Sequence, residues 1–332
     1  MKPDSTRPGW PPATGIGSLP GTDPVAAVRQ VLDALPDGPH LPELPARGPG
    51  ADLIGRGAGL LLDLPVDLQP SGWRFVSRPG MDLRRTRDLW ARDLEALAQE
   101  AGDYQGWFKI QLAGPWTLAA GVELHRGDKA VADPGATRDI TESLAAGLAE
   151  HLGEVTRAMP HADLVVALDE PSLPAVLRGG VQTASGFGRL QAIEEPVVEA
   201  ALRTVLGAAG QSPTIVHCCA SDTPIELLRR TGPDALSLDL NLTLDQDELG
   251  VAIETGTALL LGVVPGTDTT LPTPLETADR LRSWWRRLGF DPENLPGIVT
   301  LTPSCGLAGA SPAYALAGMT HLQAAGRQLA AD

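Results

Sequence analysis

Eight short runs rich in Val, Ile and Leu, each followed by a stretch of helical periodicity, limit most strongly how this chain can fold. The runs lie at 13–18 (ATGIGS), 39–44 (PHLPEL), 107–113 (WFKIQLA), 163–169 (DLVVALD), 213–219 (PTIVHCC), 235–240 (ALSLDL), 258–264 (ALLLGVV) and 297–304 (GIVTLTPS). Amphipathic stretches such as PVAAVRQVLDAL, ITESLAAGLAEHLGEVTRAM and PVVEAALRTVLGAAG separate them. Strands with so few polar residues are buried on both faces, which is the habit of parallel sheets with helical crossovers. Eight such units predict an α/β chain folded as a single (β/α)8 TIM barrel, with a doubly wound open sheet as the alternative. The barrel is expected over 13–332, behind a proline-rich, loosely held lead-in over 1–12. Extended loops at 119–135 and 179–191 are expected near its C-terminal mouth.

At 332 residues and a formal charge of −15, the chain can bury a large core. That charge, without any Lys/Arg cluster, argues against nucleic acid or an anionic membrane surface as partner. The N-terminus has no apolar signal segment, and no window resembles a membrane span. Three cysteines, two of them adjacent, make a poor disulfide framework and suit a reducing, cytoplasmic compartment.

In a barrel, reactive groups gather at the C-terminal ends of the strands. Here those positions hold Ser18, Glu43, Gln111, the pair Asp169-Glu170, His217 and Cys219, Asp239, the stretch Pro265 to Asp268, and Cys305. Within VHCCAS the two-residue alternation of a strand puts His217 and Cys219 on one face and Cys218 on the other. Imidazole nitrogen and thiolate sulfur are ligands that zinc favours, although a lone His-x-Cys also occurs in ordinary cores. His125, His151, His161 and His321 read as surface or capping residues, and Trp284 and Trp285 as packing on the barrel exterior. Trp116, after Gly-Pro, is placed near the third strand's mouth, where it could stack on a planar donor. The Gly-rich 179–191 segment has neither P-loop nor dinucleotide spacing.

Five motifs in order, IGSLP at 16–20, LAGPWTL at 112–118, ALDEPSL at 167–173, HCC at 217–219 and TPSCGL at 302–307, resemble those of the catalytic barrel of cobalamin-independent methionine synthase. That family lies in a wider superfamily with uroporphyrinogen decarboxylase and zinc-dependent methyltransferases, and the likeness runs from Gly15 to about Gly306. It implies a Zn2+ held by His217, Cys219 and Cys305. Asp239 takes the place of the family's glutamate, either as a further ligand or as a group orienting His217. It implies homocysteine as the thiol substrate, with Asp169 and Glu43 on its ammonium, Ser18 on its carboxylate, Glu170 supporting Asp169, and Gln111 and Trp116 lining the site. The product would be methionine.

One departure bears on the methyl donor. The family has a histidine acid after the seventh strand, and this sequence has Thr267, followed by Asp268, whose ordinary pKa is too low for that role. The family's larger members also carry an additional N-terminal barrel that this sequence lacks. Together these lead to the expectation of a donor whose leaving group needs no proton, such as a corrinoid or a corrinoid protein carrying the methyl group. A methyltransferase for another thiol, and a non-catalytic zinc-barrel protein binding an amino acid or corrinoid, are the competing readings.

Overall fold

The computed structural model describes residues 9–331, so the lead-in expected over 1–12 falls partly outside the described residues. A helix α1 (Pro24–Ala34) opens on Asp23, whose carboxylate accepts from the first turn's N–H groups. Then come α2 (Leu53–Gly59), an antiparallel hairpin of β1 (Val66–Gln69) and β2 (Gly72–Phe75), and α3 (Met81–Ala101). These fill the long 46–106 interval, whose hairpin the sequence pattern does not announce. The rest alternates as expected through β3 (Gly106–Ala113), α4 (Pro115–Gly121), α5 (Pro134–Ala158), β4 (Ala162–Asp169), α6 (Leu173–Leu177), α7 (Glu195–Gly207), β5 (Thr214–Cys218), α8 (Ile225–Arg230), β6 (Ala235–Asp239), α9 (Gln246–Glu254), β7 (Ala258–Val264), α10 (Pro274–Arg287), β8 (Val299–Pro303) and α11 (Pro312–Ala330).

Strands β3 to β8 form a parallel six-stranded sheet in chain order, curled into a half-barrel. The two N-terminal runs form no ladders. They make single parallel bridges instead: Ala13 with Leu301 on β8, Ser18 with Glu43, and His40 with Lys109 on β3. Six of the eight expected strands are thus regular, and two are reduced to isolated bridges. The reason is local. Pro39, Pro42 and Pro45 withhold donors, and Gly15 and Gly17 have no side chain to pack on a neighbouring strand. At both glycines a Cβ would collide, with the His40 ring at Gly15 and the Gln111 amide at Gly17.

Strand alternation divides the side chains cleanly. Phe108, Ile110, Leu112, Val166, Leu168, Val216, Cys218, Leu236, Leu238, Leu259 and Leu261 face outward into the core shared with the helices. Inward, a separate apolar layer of Trp107, Val165, Ala167, Ile215, Ala235, Ala258 and Leu260 closes the lower end, with Trp10 against it. Trp10 meets Trp107 edge-on at 6.4 Å, and Leu301 donates to the Pro12 carbonyl at 3.0 Å, so residues 10–12 are held. One step higher the same inward positions become polar. The polar layer is where the site is built.

Trp284 and Trp285 are buried in helix packing, as expected of the exterior layer. Two histidines differ from expectation. His151 is buried against Trp90 at 4.4 Å between centroids, and His321 is buried with its Nε2 2.9 Å from Thr277 Oγ1. Helical periodicity places both on inward faces of long helices, which their polarity obscured.

Candidate active site at the mouth of the sheet

His217 ends β5 pointing inward, and Cys219 follows on the same side. Cys218 turns outward and is fully buried, as the alternation requires. Cys305 follows β8. A glycine permits its approach: β7 and β8 shift register around Gly262, where a Cβ would lie 2.6 Å from the Ser304 Cα. The two sulfurs, 86 residues apart in sequence, lie 3.5 Å apart. The neighbouring Cys219 thiol, then the His217 imidazole, pull the Cys305 thiol well down. Hydrogen bonding to Cys305, then burial, pushes the Cys219 thiol up, so one sulfur ionises at the other's expense.

The His217 ring is oriented by a 2.9 Å contact between Nδ1 and Ser237 Oγ. Its Nε2 is buried without a hydrogen-bond partner. Ser237, not Asp239, is therefore the orienting group, which corrects one expectation for Asp239. The Asp239 carboxylate accepts from the Asn241 backbone N–H and side-chain amide, both at 2.9 Å, and Asn241 reaches on to Ser304 at 2.8 Å.

Among the described residues no three His, Cys, Asp or Glu side chains are grouped so as to hold a metal ion. The chemistry of His217, Cys219 and Cys305 nonetheless suits zinc, and so does the spacing of the two sulfurs. Two thiolates on one tetrahedral zinc at about 2.3 Å each stand roughly 3.8 Å apart, close to the separation here. An orphaned buried imidazole nitrogen is a liability unless something occupies it.

Across the mouth lies a second set. Asp169 ends β4, is 6% exposed, and has one carboxylate oxygen without a partner. Burial, then the repulsion of Glu43 and Cys305 against the pull of His217 and Lys109, raises its pKa to about 7. Glu43 accepts from the Gln111 amide at 3.1 Å and has Arg56 at 3.6 Å. Ser18 pairs with Glu43 across the bridge, and its backbone carbonyl accepts from the Leu307 N–H at 2.7 Å. A Cβ at Gly306 would lie 1.9 Å from Ser18 Oγ, so glycine there lets Ser18 sit beside Cys305.

Several expected site residues lie elsewhere. Trp116, on α4, is 1% exposed, and its indole N–H donates to the Val198 carbonyl of α7 at 3.2 Å, so it packs between the two helices and cannot stack on a donor. Glu170 is fully buried and accepts from the N–H groups of Trp116 and Thr117 and from the Thr117 hydroxyl. Its carboxylate caps α4, with no hydrogen bond to Asp169. Gly-Pro starts a helix here, which turns Trp116 inward and draws the Glu170 carboxylate to its N-terminus.

Thr267 is exposed. Asp268 accepts from the Ser311 N–H at 2.7 Å and hydroxyl at 2.6 Å at the start of α11. Those bonds hold its carboxyl below the usual range, so Asp268 is ionised near neutral pH and has no proton to donate. Lys109 was missing from the sequence-based site. It is 2% exposed and points inward between Trp107 and Gln111, and the alternation alone could have placed it there.

The sequence matches the family of catalytic domains of cobalamin-independent synthases over residues 10–328. The chain belongs to that family. A B12-independent methionine synthase from Shewanella sp. W3-18-1, solved in complex with selenomethionine, shares the fold at a TM-score of 0.60. It is 14% identical, and the alignment covers 97% of this chain and 98% of that one. No curated protein sequence matches the chain. A family described as cobalamin-independent gives no support to the corrinoid donor expected from Thr267. No helix among the described residues is long and apolar enough to cross a membrane.

Proposed function

We propose that this chain is a zinc-dependent S-methyltransferase that methylates the thiol of homocysteine to give methionine. The observation that carries the reading is the Cys219–Cys305 pair beside the open His217 Nε2, facing Glu43 and Asp169 in a chain of the cobalamin-independent synthase family. In this reading the two bridged N-terminal runs and the six strands make one (β/α)8 barrel over 13–332, and the substrate lies across its mouth.

His217, Cys219 and Cys305 would hold the zinc. When bound it lowers the pKa of a substrate thiol, so that thiolate exists at neutral pH. The protein's own groups do the rest. Glu43 and Asp169 bind the substrate ammonium, and Ser18 with neighbouring backbone N–H groups takes its carboxylate, which aims the sulfur at the donor. The sulfur lone pair forms the new S–CH3 bond while the methyl–donor bond breaks and its electron pair leaves with the donor. Asp239, tethered by Asn241, would supply a fourth ligand or leave that position to substrate.

Metal analysis of the purified protein is expected to find about one zinc per chain. Homocysteine binding is expected to release close to one proton near neutral pH, because the thiol ionises on binding. Methyl transfer from methyltetrahydrofolate and from methylcobalamin, run side by side, identifies the donor. Homocysteine binding without proton release, and without turnover from either donor, would replace this reading with that of a binding protein.

A further inference from the structure

The N-terminal half of the mouth carries Ser18 and Glu43 but is joined to the sheet only at isolated bridges, by a few backbone hydrogen bonds such as Leu41 N–H to the Lys109 carbonyl at 2.8 Å and Glu43 N–H to the Gly17 carbonyl at 3.1 Å. Two inward side chains of β3 reinforce those few bonds. Lys109 Nζ donates to the Ile16 carbonyl at 2.6 Å and to Gln111 Oε1 at 2.9 Å. Gln111 Nε2 donates to the Leu41 carbonyl at 2.7 Å and to Glu43 Oε1 at 3.1 Å.

Every junction in this chain has one allowed sense. An ammonium only donates, so it fixes the Gln111 oxygen toward Lys109. The amide NH2 is then turned to two groups that only accept, the Leu41 carbonyl and the Glu43 carboxylate. Without the ammonium, the Gln111 oxygen loses its donor and the amide is held from its NH2 end alone. Lys109, Asp169, His217 and Ser237 also border one small cavity of about 10 Å³ beneath the mouth. Burial lowers the Lys109 pKa to about 8, with Asp169 and then Glu43 working against the fall, so at neutral pH the group keeps its charge. A buried lysine is expensive unless its charge is used.

We propose that Lys109 is a positioning residue for the amino-acid end of the substrate. Through Gln111 it aims Glu43, and through Ile16 it fixes the segment carrying Ser18, while the sulfur ligands on β5 and after β8 are held without it. This inference rests on the functional reading above and adds a separable prediction, namely that the two ends of the substrate are supported by different residues.

The test compares methionine with its des-amino analogue, 4-(methylthio)butanoate, by calorimetry on the zinc-loaded protein. Lys109→Met is expected to weaken methionine about 10-fold or more, the scale of one charge-assisted hydrogen bond. The des-amino analogue is expected to change less than about twofold, since it has no ammonium for Glu43 to bind. Gln111→Met keeps the lysine and breaks the same relay, so it is expected to show the same selective loss, and it serves if Lys109→Met folds poorly. In a Glu43→Gln background the added effect of Lys109→Met on methionine is expected to shrink to about twofold, since the two act through one interaction. Zinc content is expected to stay constant throughout. Equal losses for both ligands, or full additivity with Glu43→Gln, would overturn the inference while leaving the function intact. A wild-type protein that binds the two compounds equally would overturn both.

Discussion

Alanine at Cys305 or at Cys219 is expected to strip most of the zinc and slow methyl transfer to homocysteine by about 10³-fold. The size follows from two effects. A free thiol of pKa near 8.5 is only about 3% thiolate at pH 7, so losing the metal's effect on ionisation costs roughly 30-fold. Losing the anchor that places the sulfur in line costs about as much again, well within the range that positioning supplies. Together they amount to about 4 kcal/mol of barrier. Cys218→Ala is the control. Its side chain faces the outer core and is fully buried, so it is expected to cost about 1 kcal/mol of stability and no zinc. Metal analysis of the three variants, read beside single-turnover rates, checks the assignment. Full zinc retention in both Cys219→Ala and Cys305→Ala would defeat the ligand set.

The largest expected effect on stability lies behind the site. Asp93 on α3 is 2% exposed and holds two guanidinium groups, Arg47 at 2.6 and 2.9 Å and Arg56 at 2.5 Å. Arg56 is itself buried, lies over the Trp90 ring at 3.7 Å, and has Glu43 on its other side. Its Nε and Nη2 have no hydrogen-bond partner, so the ion pair with Asp93 is its main compensation. Asp93→Ala leaves two cations buried without their anion, a loss of about 3–5 kcal/mol. For a chain of this length that lowers Tm by about 6 °C. Asp93→Asn keeps the shape and loses the charge, and is expected to fall between. A Tm within about 1 °C of wild type for Asp93→Ala would mean that both arginines find other partners. Because Arg56 borders Glu43, the same substitution is also expected to weaken methionine binding.

How much of this was legible in the sequence varies with the residue. The inward faces of His217 and Cys219 and the outward face of Cys218 followed from strand alternation alone. Six of the eight strands lie within two residues of where the apolar runs put them. The two exceptions carry Ser18 and Glu43, where prolines and glycines interrupt the ladder. Trp116 and Glu170 were misplaced because Gly-Pro can open either a loop or a helix, and only the packed structure shows that it opens α4. Lys109 went unnoticed because a lysine in an apolar run reads as an outlier, although its parity with Trp107 and Gln111 already turned it inward.

The sequence alone determined the periodicities, and with them the order of strands, the two-sided burial of the sheet and the face on which each side chain stands. These are local properties, fixed by backbone geometry over a few residues. Tertiary structure alone decided which polar groups meet. Cys219 and Cys305 come to 3.5 Å only because the sheet curls and Gly262 lets β8 close in. Glu170 turns to a helix end, and Lys109 to the Ile16 carbonyl and the Gln111 amide oxygen, because a buried donor or acceptor must find its complement among whatever the fold brings within reach.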